Sequence, residues 1–133
     1  MTDPSDPTDR RYTKSHEWVK SEGSQLRVGI THHAQSELTD IVFVDLPKPG
    51  KAVGAGESVL VLESVKTVAD VYAPTKGTVV AVNEALKKTP ELINRDPYGE
   101  GWLYLFTPEG PVDEKAFLTA DGYRAFVASA APH

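Results

Sequence analysis

The stretch that decides the fold is residues 58–74, SVLVLESVKTVADVYAP. It contains two runs rich in valine and leucine, Ser58–Leu62 and Val68–Ala73, and the second run stops at Pro74. Such residues favour strands, and a short connection between two such runs is typical of a β-hairpin. A two-residue connection would put Lys66 at the hairpin tip. The stretch therefore predicts an antiparallel strand pair that presents a lysine.

Short strands of the same kind continue on both sides of this hairpin. They are bounded by Gly and Pro turns and are predicted at Leu26–Ile30, Ile41–Leu46, Thr78–Val82 and Trp102–Phe106. Helical patterns are confined to the margins and comprise a short helix capped by Thr31, Glu84–Lys88, Asp113–Leu118 and Ala120–Ala130. This pattern predicts a mainly β fold, a flattened barrel or sandwich of two antiparallel sheets with short helices and a C-terminal helical segment.

Chain length and the first ten residues predict the domain organisation. A chain of 133 residues fits one domain. Residues 1–10 contain two prolines and three aspartates without apolar periodicity, so we expect a flexible acidic tail. A single domain over residues 11–133 follows, and its C-terminal helical part begins near residue 113. The tail lacks the features of signal and transit peptides. We therefore expect a cytoplasmic bacterial chain, or a mitochondrial one if a transit peptide has been removed.

Charge and cysteine content exclude several classes of function. Lys plus Arg number 14 and Asp plus Glu number 19, for a net charge of −5. Nucleic acids and anionic membranes require clustered cations, so neither is expected as a partner. The chain has no cysteine, which excludes disulfides, thiolate metal sites and cysteine nucleophiles. Any sulfur chemistry would need a group attached to the protein.

The sequence contains no self-sufficient catalytic or metal-binding motif. His16-Glu17 and His32-His33 lack the HExxH spacing that places two imidazoles on one helix face, so no metal site is predicted. Gly54-Ala55-Gly56 lacks the third glycine of a dinucleotide loop, and neither a GxSxG nor a Walker motif occurs. We therefore predict a protein that is not an enzyme. A catalyst that uses His16 and Glu17 is the alternative.

The segment Glu63-Ser64-Val65-Lys66-Thr67 permits two interpretations of its lysine. A lysine at a strand end commonly serves as a solvated charge that discourages edge-to-edge pairing. Alternatively, a projecting amine on an extended backbone can be acylated by a carboxylic cofactor. The pentapeptide alone favours the first interpretation.

Several segments, taken together and in order, resemble the glycine cleavage system H protein family. They span Tyr12 to Phe106 and comprise Tyr12–Val19, Val28–Thr31, Ala34-Gln35, Asp40–Val44, Leu46-Pro47, Glu63–Lys66, Asp70–Pro74 and Asn94–Trp102. Two positions depart from the family pattern. Thr39 stands where glycine is usual, which affects the local turn, and Thr67 follows the lysine where alanine is usual.

The resemblance implies a lipoyl-domain-like fold and a carrier function. By this similarity Lys66 would hold (R)-lipoic acid in amide linkage as N6-lipoyl-lysine. The carrier would take the aminomethyl group of glycine from glycine decarboxylase to aminomethyltransferase, and dihydrolipoyl dehydrogenase would reoxidise it. A lipoyl-installing enzyme is a further implied partner. The lipoyl-lysine arm would act as a tether that raises the effective concentration of its sulfur at the active site of each partner. We expect the protein to be a monomer.

The resemblance also implies a cleft that shelters the loaded arm. Carried over by position, the residues that would line it are Ser15, Glu17 and Asp70. The loaded amine is cationic near neutral pH, so a carboxylate is a suitable partner and Glu17 is the first candidate. Without the resemblance, Glu17 and Asp70 would be interpreted as surface acids in strands.

Other carriers and a non-catalytic module are the alternatives. Biotinyl domains usually have methionine on both sides of the lysine, whereas Val65 and Thr67 flank Lys66 here. Lipoyl domains of other multienzyme complexes lack counterparts of Tyr12–Val19 and of the C-terminal helical part. A β-sandwich interaction module without a prosthetic group is the alternative from a different class.

Overall fold

The structure, a computed structural model, describes residues 6–130. The strands are β1 (Arg11–Tyr12), β2 (Glu17–Glu22), β3 (Gln25–Ile30), β4 (Ile41–Asp45), β5 (Ala52–Val53), β6 (Ser58–Ser64), β7 (Val68–Tyr72), β8 (Gly77–Val82) and β9 (Tyr104–Pro108). The helices are α1 (His32–Leu38), α2 (Leu92–Arg95) and α3 (Ala120–Ala130), with 3₁₀ turns at Glu84–Lys87 and Glu114–Ala116. Within this range no helix has the length and apolarity needed to cross a bilayer.

The strands form two open antiparallel sheets. The larger sheet has the order β1-β2-β3-β9-β8-β5 and the smaller one the order β4-β6-β7. All strand pairs in both sheets are antiparallel. The predicted mainly β architecture with two antiparallel sheets, short helices and a C-terminal helix is therefore confirmed.

Alternating side chains of the two sheets build the main core. On β3, Leu26 and Val28 are buried, and Val44 and Leu62 of the smaller sheet belong to the same cluster. This burial removes apolar surface from water, which is the main favourable contribution to folding. Gly29 of β3 allows close packing of Trp18. A Cβ atom at position 29 would lie 2.6 Å from the ring of this fully buried tryptophan.

Some elements differ from the sequence-based expectations. The strand predicted at Trp102–Phe106 begins at Tyr104 instead, because the Trp102 N–H closes a turn onto Gly99 O at 3.1 Å. The helix predicted at Asp113–Leu118 is reduced to a single 3₁₀ turn. The strands β1 and β5 and the helix α2 were not predicted, since each has only two to four residues. Periodicity needs longer segments to be detectable.

Both ends of the described chain pack beside β1. Tyr12 exchanges two backbone hydrogen bonds with Leu118, and its ring stacks on Tyr123 of α3 with 5.0 Å between centroids. On the N-terminal side, the Tyr12 hydroxyl donates to Pro7 O at 2.6 Å and the Arg10 guanidinium lies over the Trp18 ring. The predicted division between tail and domain stays a prediction, and residues 1–5 and 131–133 lie outside the described range.

The turn between α1 and β4 has a strained backbone at Thr39. Its φ of 64° and ψ of −150° form a combination that is essentially restricted to glycine. The Asn94 side chain holds this turn: its Nδ2 donates to Thr39 O at 2.8 Å, and its Oδ1 accepts from the Ile41 N–H at 2.9 Å. The backbone angles of this turn therefore explain why the family pattern has glycine here. Thr39 adopts the same angles with a side chain and is strained.

Replacing Thr39 by glycine is expected to raise the free energy of unfolding by about 1 kcal/mol. Relief of the strain contributes about 1–3 kcal/mol and exceeds the extra chain entropy of glycine, about 0.5–1 kcal/mol. Thr39→Ala is the matched control, because it retains a Cβ atom and should give no gain. Urea unfolding followed by tryptophan fluorescence measures both. A glycine variant no more stable than the alanine variant would contradict the prediction.

Candidate functional site

The hairpin between β6 and β7 presents Lys66 at its tip. Glu63 pairs with Val68, and the Ser64 N–H donates to Thr67 O at 2.8 Å, so Val65 and Lys66 form the two-residue tip. The Lys66 side chain is exposed, and within residues 6–130 its amine forms no hydrogen bond or ion pair. An amine in this position is accessible to another protein.

A serine side chain replaces the usual turn glycine in this hairpin. Tight two-residue hairpins normally need positive φ angles, but among the described non-glycine residues only His16 and Thr39 have them. Here the Ser64 hydroxyl oxygen accepts from the Lys66 N–H at 3.1 Å and from the Thr67 N–H at 2.9 Å. Serine side chains stabilise turns by local bonds of this kind to the backbone, and Ser64 is the residue in the sequence that could have indicated this turn.

The base of the hairpin is braced by the α1–β4 turn. The Val65 N–H donates to Asp40 O at 3.0 Å, and Ile41 pairs with Ser64. Because Asn94 holds the same turn through its bonds to residues 39 and 41, the brace continues into α2. The lysine side chain is therefore free to move on a backbone that is fixed on one side.

Glu17 is a buried carboxylate at the start of β2. It is 1% exposed, and three uncharged donors reach it: the hydroxyls of Thr13 and Ser15, and the backbone N–H of Tyr72 at 3.1 Å. Burial raises the pKa of Glu17, and the three hydrogen bonds oppose that shift. A buried acid whose donors are neutral can still gain from an incoming cation.

A cleft of about 280 Å³ brings the three predicted cleft residues together. Its polar lining includes Ser15, His16, Glu17, His33, Glu37 and Asp70, and its apolar lining comes from β3, α1, β6 and β7. Lys66 itself does not line it. Asp70 is on β7, four residues after Lys66. Four residues of extended strand span about 13 Å, which is the approximate distance between the two Cα atoms. A group attached to Lys66 would therefore need a long arm to enter the cleft.

The two neighbouring histidines do not form a catalytic pair with Glu17. His16 Nδ1 shares a hydrogen bond of 2.7 Å with the Tyr123 hydroxyl, and its ring centroid lies 4.8 Å from that of His33. Burial lowers the pKa of His16. The described residues contain no group of three or more potential metal ligands.

A second cavity of about 500 Å³ lies on the other side of Glu17. Ser15 and Glu17 line both cavities, while Tyr12, Tyr72 and Leu118 line only the second. The carboxylate therefore lies between two spaces, an arrangement that the linear sequence does not indicate.

Comparison with known proteins places the chain in one family. The family model described as Glycine cleavage H-protein matches residues 10–130. A glycine cleavage system H protein of Thermus thermophilus is 52% identical over 125 residues, covering 94% of this chain and 98% of the relative. That of Shewanella oneidensis is 50% identical over 122 residues, covering 91% and 95%.

A solved structure agrees with these relatives. The crystal structure of a glycine cleavage system H protein from Mycobacterium marinum superposes with a TM-score of 0.79 at 43% identity, covering 92% of this chain and 97% of that one. The resemblance inferred from the ordered motifs is confirmed. This chain belongs to the glycine cleavage H-protein family.

Proposed function

We propose that this chain carries (R)-lipoic acid in amide linkage on Lys66 and serves the glycine cleavage system as its mobile carrier. Family membership makes it a lipoyl carrier of that system rather than an enzyme. The observation that supports the attachment site best is the exposed amine of Lys66 on the braced hairpin. The same membership favours H proteins over the biotinyl and lipoyl domains of other complexes.

The residues present fit a lipoyl group. When bound, the group would supply a disulfide that accepts the aminomethyl unit of glycine. The amide would neutralise Lys66, and the arm would bridge the distance from the hairpin tip to the cleft that Lys66 alone does not reach. The cleft has about 280 Å³ of space and mixes apolar walls with the carboxylates of Glu17 and Asp70.

The task of Glu17 in this proposal is to bind a cationic amine. Its Oε1 accepts from Ser15 at 2.6 Å and its Oε2 from the Tyr72 N–H, which fixes the carboxylate between β2 and β7. A charge-assisted hydrogen bond to such a group contributes about 1.5–3 kcal/mol. An amine bound there would lie among the apolar walls of the cleft, which would limit the access of water to the labile bond beside it.

The partners follow from the same proposal. Membership of the glycine cleavage system implies its other enzymes as partners. We propose glycine decarboxylase, aminomethyltransferase and dihydrolipoyl dehydrogenase, together with an enzyme that installs the lipoyl group. The relatives named above are bacterial, and we propose a cytoplasmic location and a monomeric state.

The Lys66→Arg variant is expected to fold normally and to gain no lipoyl group. The guanidinium retains the charge of an exposed side chain but does not form this amide. Intact-mass measurement and peptide mapping of protein from a lipoylating host provide the readout, with Lys76→Arg, another exposed lysine at a strand end, as matched control. An unmodified Lys66 peptide in the wild-type protein would contradict the proposed attachment site.

Glu17→Gln is expected to shorten the lifetime of the aminomethyl-loaded carrier by about 10-fold or more. Loss of a charge-assisted bond of about 1.5–3 kcal/mol corresponds to at least a tenfold change. Release of formaldehyde from purified loaded protein measures the lifetime. Glu100→Gln, at an exposed site, is the control and should behave like the wild type. Equal lifetimes of the loaded form in all three proteins would contradict the proposed role of Glu17.

Glu17→Gln is also expected to gain stability relative to the wild type as pH rises. Burial raises the folded-state pKa of Glu17 above its ordinary value of 4.5, so the folded protein binds more protons than the unfolded chain above that pH. Wild-type stability from this group is therefore full below pH 4.5 and falls as pH rises through the folded pKa. Urea unfolding of both proteins at about pH 4 and about pH 7.5 tests the sign. If the difference in unfolding free energy between the two proteins is the same at both pH values, the expected effect of Glu17 is contradicted.

A further inference from the structure

Two histidine rings form part of the cleft wall beside Glu17. His16 and His33 both line the cleft of about 280 Å³, and their ring centroids lie 4.8 Å apart with an angle of 42° between the ring planes. Both side chains are half-buried. His16 has a φ of 72°, a left-handed conformation that is unfavourable for residues other than glycine. The fold therefore keeps this ring at the cleft despite backbone strain.

The hydrogen bonds of His16 assign it a neutral ring. The fully buried Thr31 hydroxyl accepts from the Ala34 N–H at 3.2 Å and lies 2.7 Å from the Tyr123 hydroxyl, which in turn lies 2.7 Å from His16 Nδ1. Within residues 6–130 the Thr31 proton has no other acceptor, so it points to the Tyr123 oxygen, and the Tyr123 hydroxyl donates to Nδ1. A ring nitrogen that accepts has no proton, so the single ring proton of His16 is on Nε2.

The pKa shifts of these groups agree with that assignment. Burial lowers the pKa of His16, and the neighbouring His33 acts in the same direction, while Glu37 opposes them. Burial also raises the pKa of Tyr123 to about 12, so its hydroxyl keeps the proton that it donates. Near neutral pH the His16 ring is therefore uncharged.

Neutral imidazoles leave the cleft with an acidic lining. Glu17, Glu37 and Asp70 belong to this lining, and among the described residues no lysine or arginine does. Such a lining attracts a cationic amine. A proton on either ring would add a positive charge inside the same cavity, where it would repel the amine and compete for the carboxylates. Because the two rings are in contact, uptake of one proton opposes uptake of a second.

The other titratable and charged groups near the two rings come from the elements packed around them. The Lys14 amine lies over the Phe126 ring, whose centroid is 6.1 Å from that of His16, and Lys14 does not line the cleft. Glu17 has a pKa that burial raises, so its titration must be separated from that of the imidazoles. The complete set is Lys14 and Glu17 at the start of β2, Glu37 on α1, Asp70 on β7 and Tyr123 on α3.

We propose that His16 and His33 determine the charge selectivity of the cleft: when neutral they leave its carboxylates free to hold a cationic amine, and when protonated they release it. This inference rests on the proposed function, which supplies the amine. Histidine is the side chain whose charge ordinarily changes between about pH 5 and pH 8. The loaded carrier would therefore keep its amine near neutral pH and lose it on acidification.

The experiment follows the lifetime of the loaded carrier against pH. Formaldehyde release from purified loaded protein is timed between about pH 5 and pH 7.5 for the wild type, His16→Asn, His33→Gln and the double variant. Asparagine tolerates the left-handed backbone at position 16, and glutamine suits a helix. His32→Gln is the matched control, because His32 precedes His33 on α1 and does not line the cleft. Hydrolysis breaks the C–S and C–N bonds and yields formaldehyde, ammonium and a thiol, without oxidation or reduction.

The expected difference appears only at low pH. At about pH 7.5 all lifetimes should agree within about twofold, because the imidazoles are neutral. At about pH 5 the double variant should outlast the wild type and His32→Gln by about threefold or more, because the added positive charge is missing from its cavity. Comparison at equal pH removes the pH dependence of hydrolysis itself, and Glu17 is present in every protein.

Nitrogen-15 NMR of the unmodified full-length chain is a readout that does not depend on the loaded form. We expect His16 to have its proton on Nε2 and a pKa below 6.5. In His33→Gln the pKa of His16 should rise, because the neighbouring imidazole no longer opposes its positive charge. These signals report the charge of the ring directly, which a purely structural role of His16 would not alter.

The possible outcomes separate this inference from the function on which it rests. If the wild-type chain never gains the lipoyl mass, the proposed function fails and the inference fails with it. If the wild type is lipoylated and loaded but the double variant loses its amine at low pH as fast as the wild type, the inference alone is overturned. It is also overturned if neither ring binds a proton above about pH 5. Thermal unfolding shows whether each variant is folded, and His33→Gln alone tests the inference if the change at position 16 prevents folding.

Discussion

The hydrogen bond from the Tyr72 N–H to the buried Glu17 carboxylate is the contact on which the site depends. It joins β2 of the larger sheet to β7 of the smaller one across 55 positions of sequence. A charge here is an unfavourable way to join two sheets, since burial penalises the ionised form and neutral donors offset only part of that penalty. Packing alone would favour an apolar residue. The retention of a carboxylate at such a position is understandable if its charge is used when a cation enters the cleft.

The structure separates a fixed backbone from a free side chain. Ser64 and Asp40 satisfy the hairpin N–H groups of residues 65–67, and Asn94 carries the same bracing into α2. The Lys66 amine beyond them forms no hydrogen bond or ion pair among the described residues that would have to be broken. A tethered group on such a residue keeps a high effective concentration near any docked enzyme, because its point of attachment is fixed.

The sequence predicted local features and missed those that depend on distant contacts. The strand pair around Lys66 and the cap at Thr31, whose hydroxyl accepts from the Ala34 N–H, follow from patterns of a few residues. Burial of Glu17 does not, because an acid in a strand is exposed by default and its donor Tyr72 is remote in sequence. The motif order led to Ser15, Glu17 and Asp70, and only the fold explains how they line one cleft.

Acylation would change the electrostatic character of the hairpin. Before the reaction, the hairpin and the turn that braces it carry the positive charge of Lys66 and the negative charges of Asp40 and Glu63, and afterwards only the negative charges would remain. Field strength at a protein surface mainly governs the rate of association, so the unmodified and modified forms would differ in how fast they meet a basic partner. The hairpin would therefore become more attractive to cationic surfaces once its lysine is neutral. A single amide bond on Lys66 would thus alter both the reach of the carrier and the partners that it meets fastest.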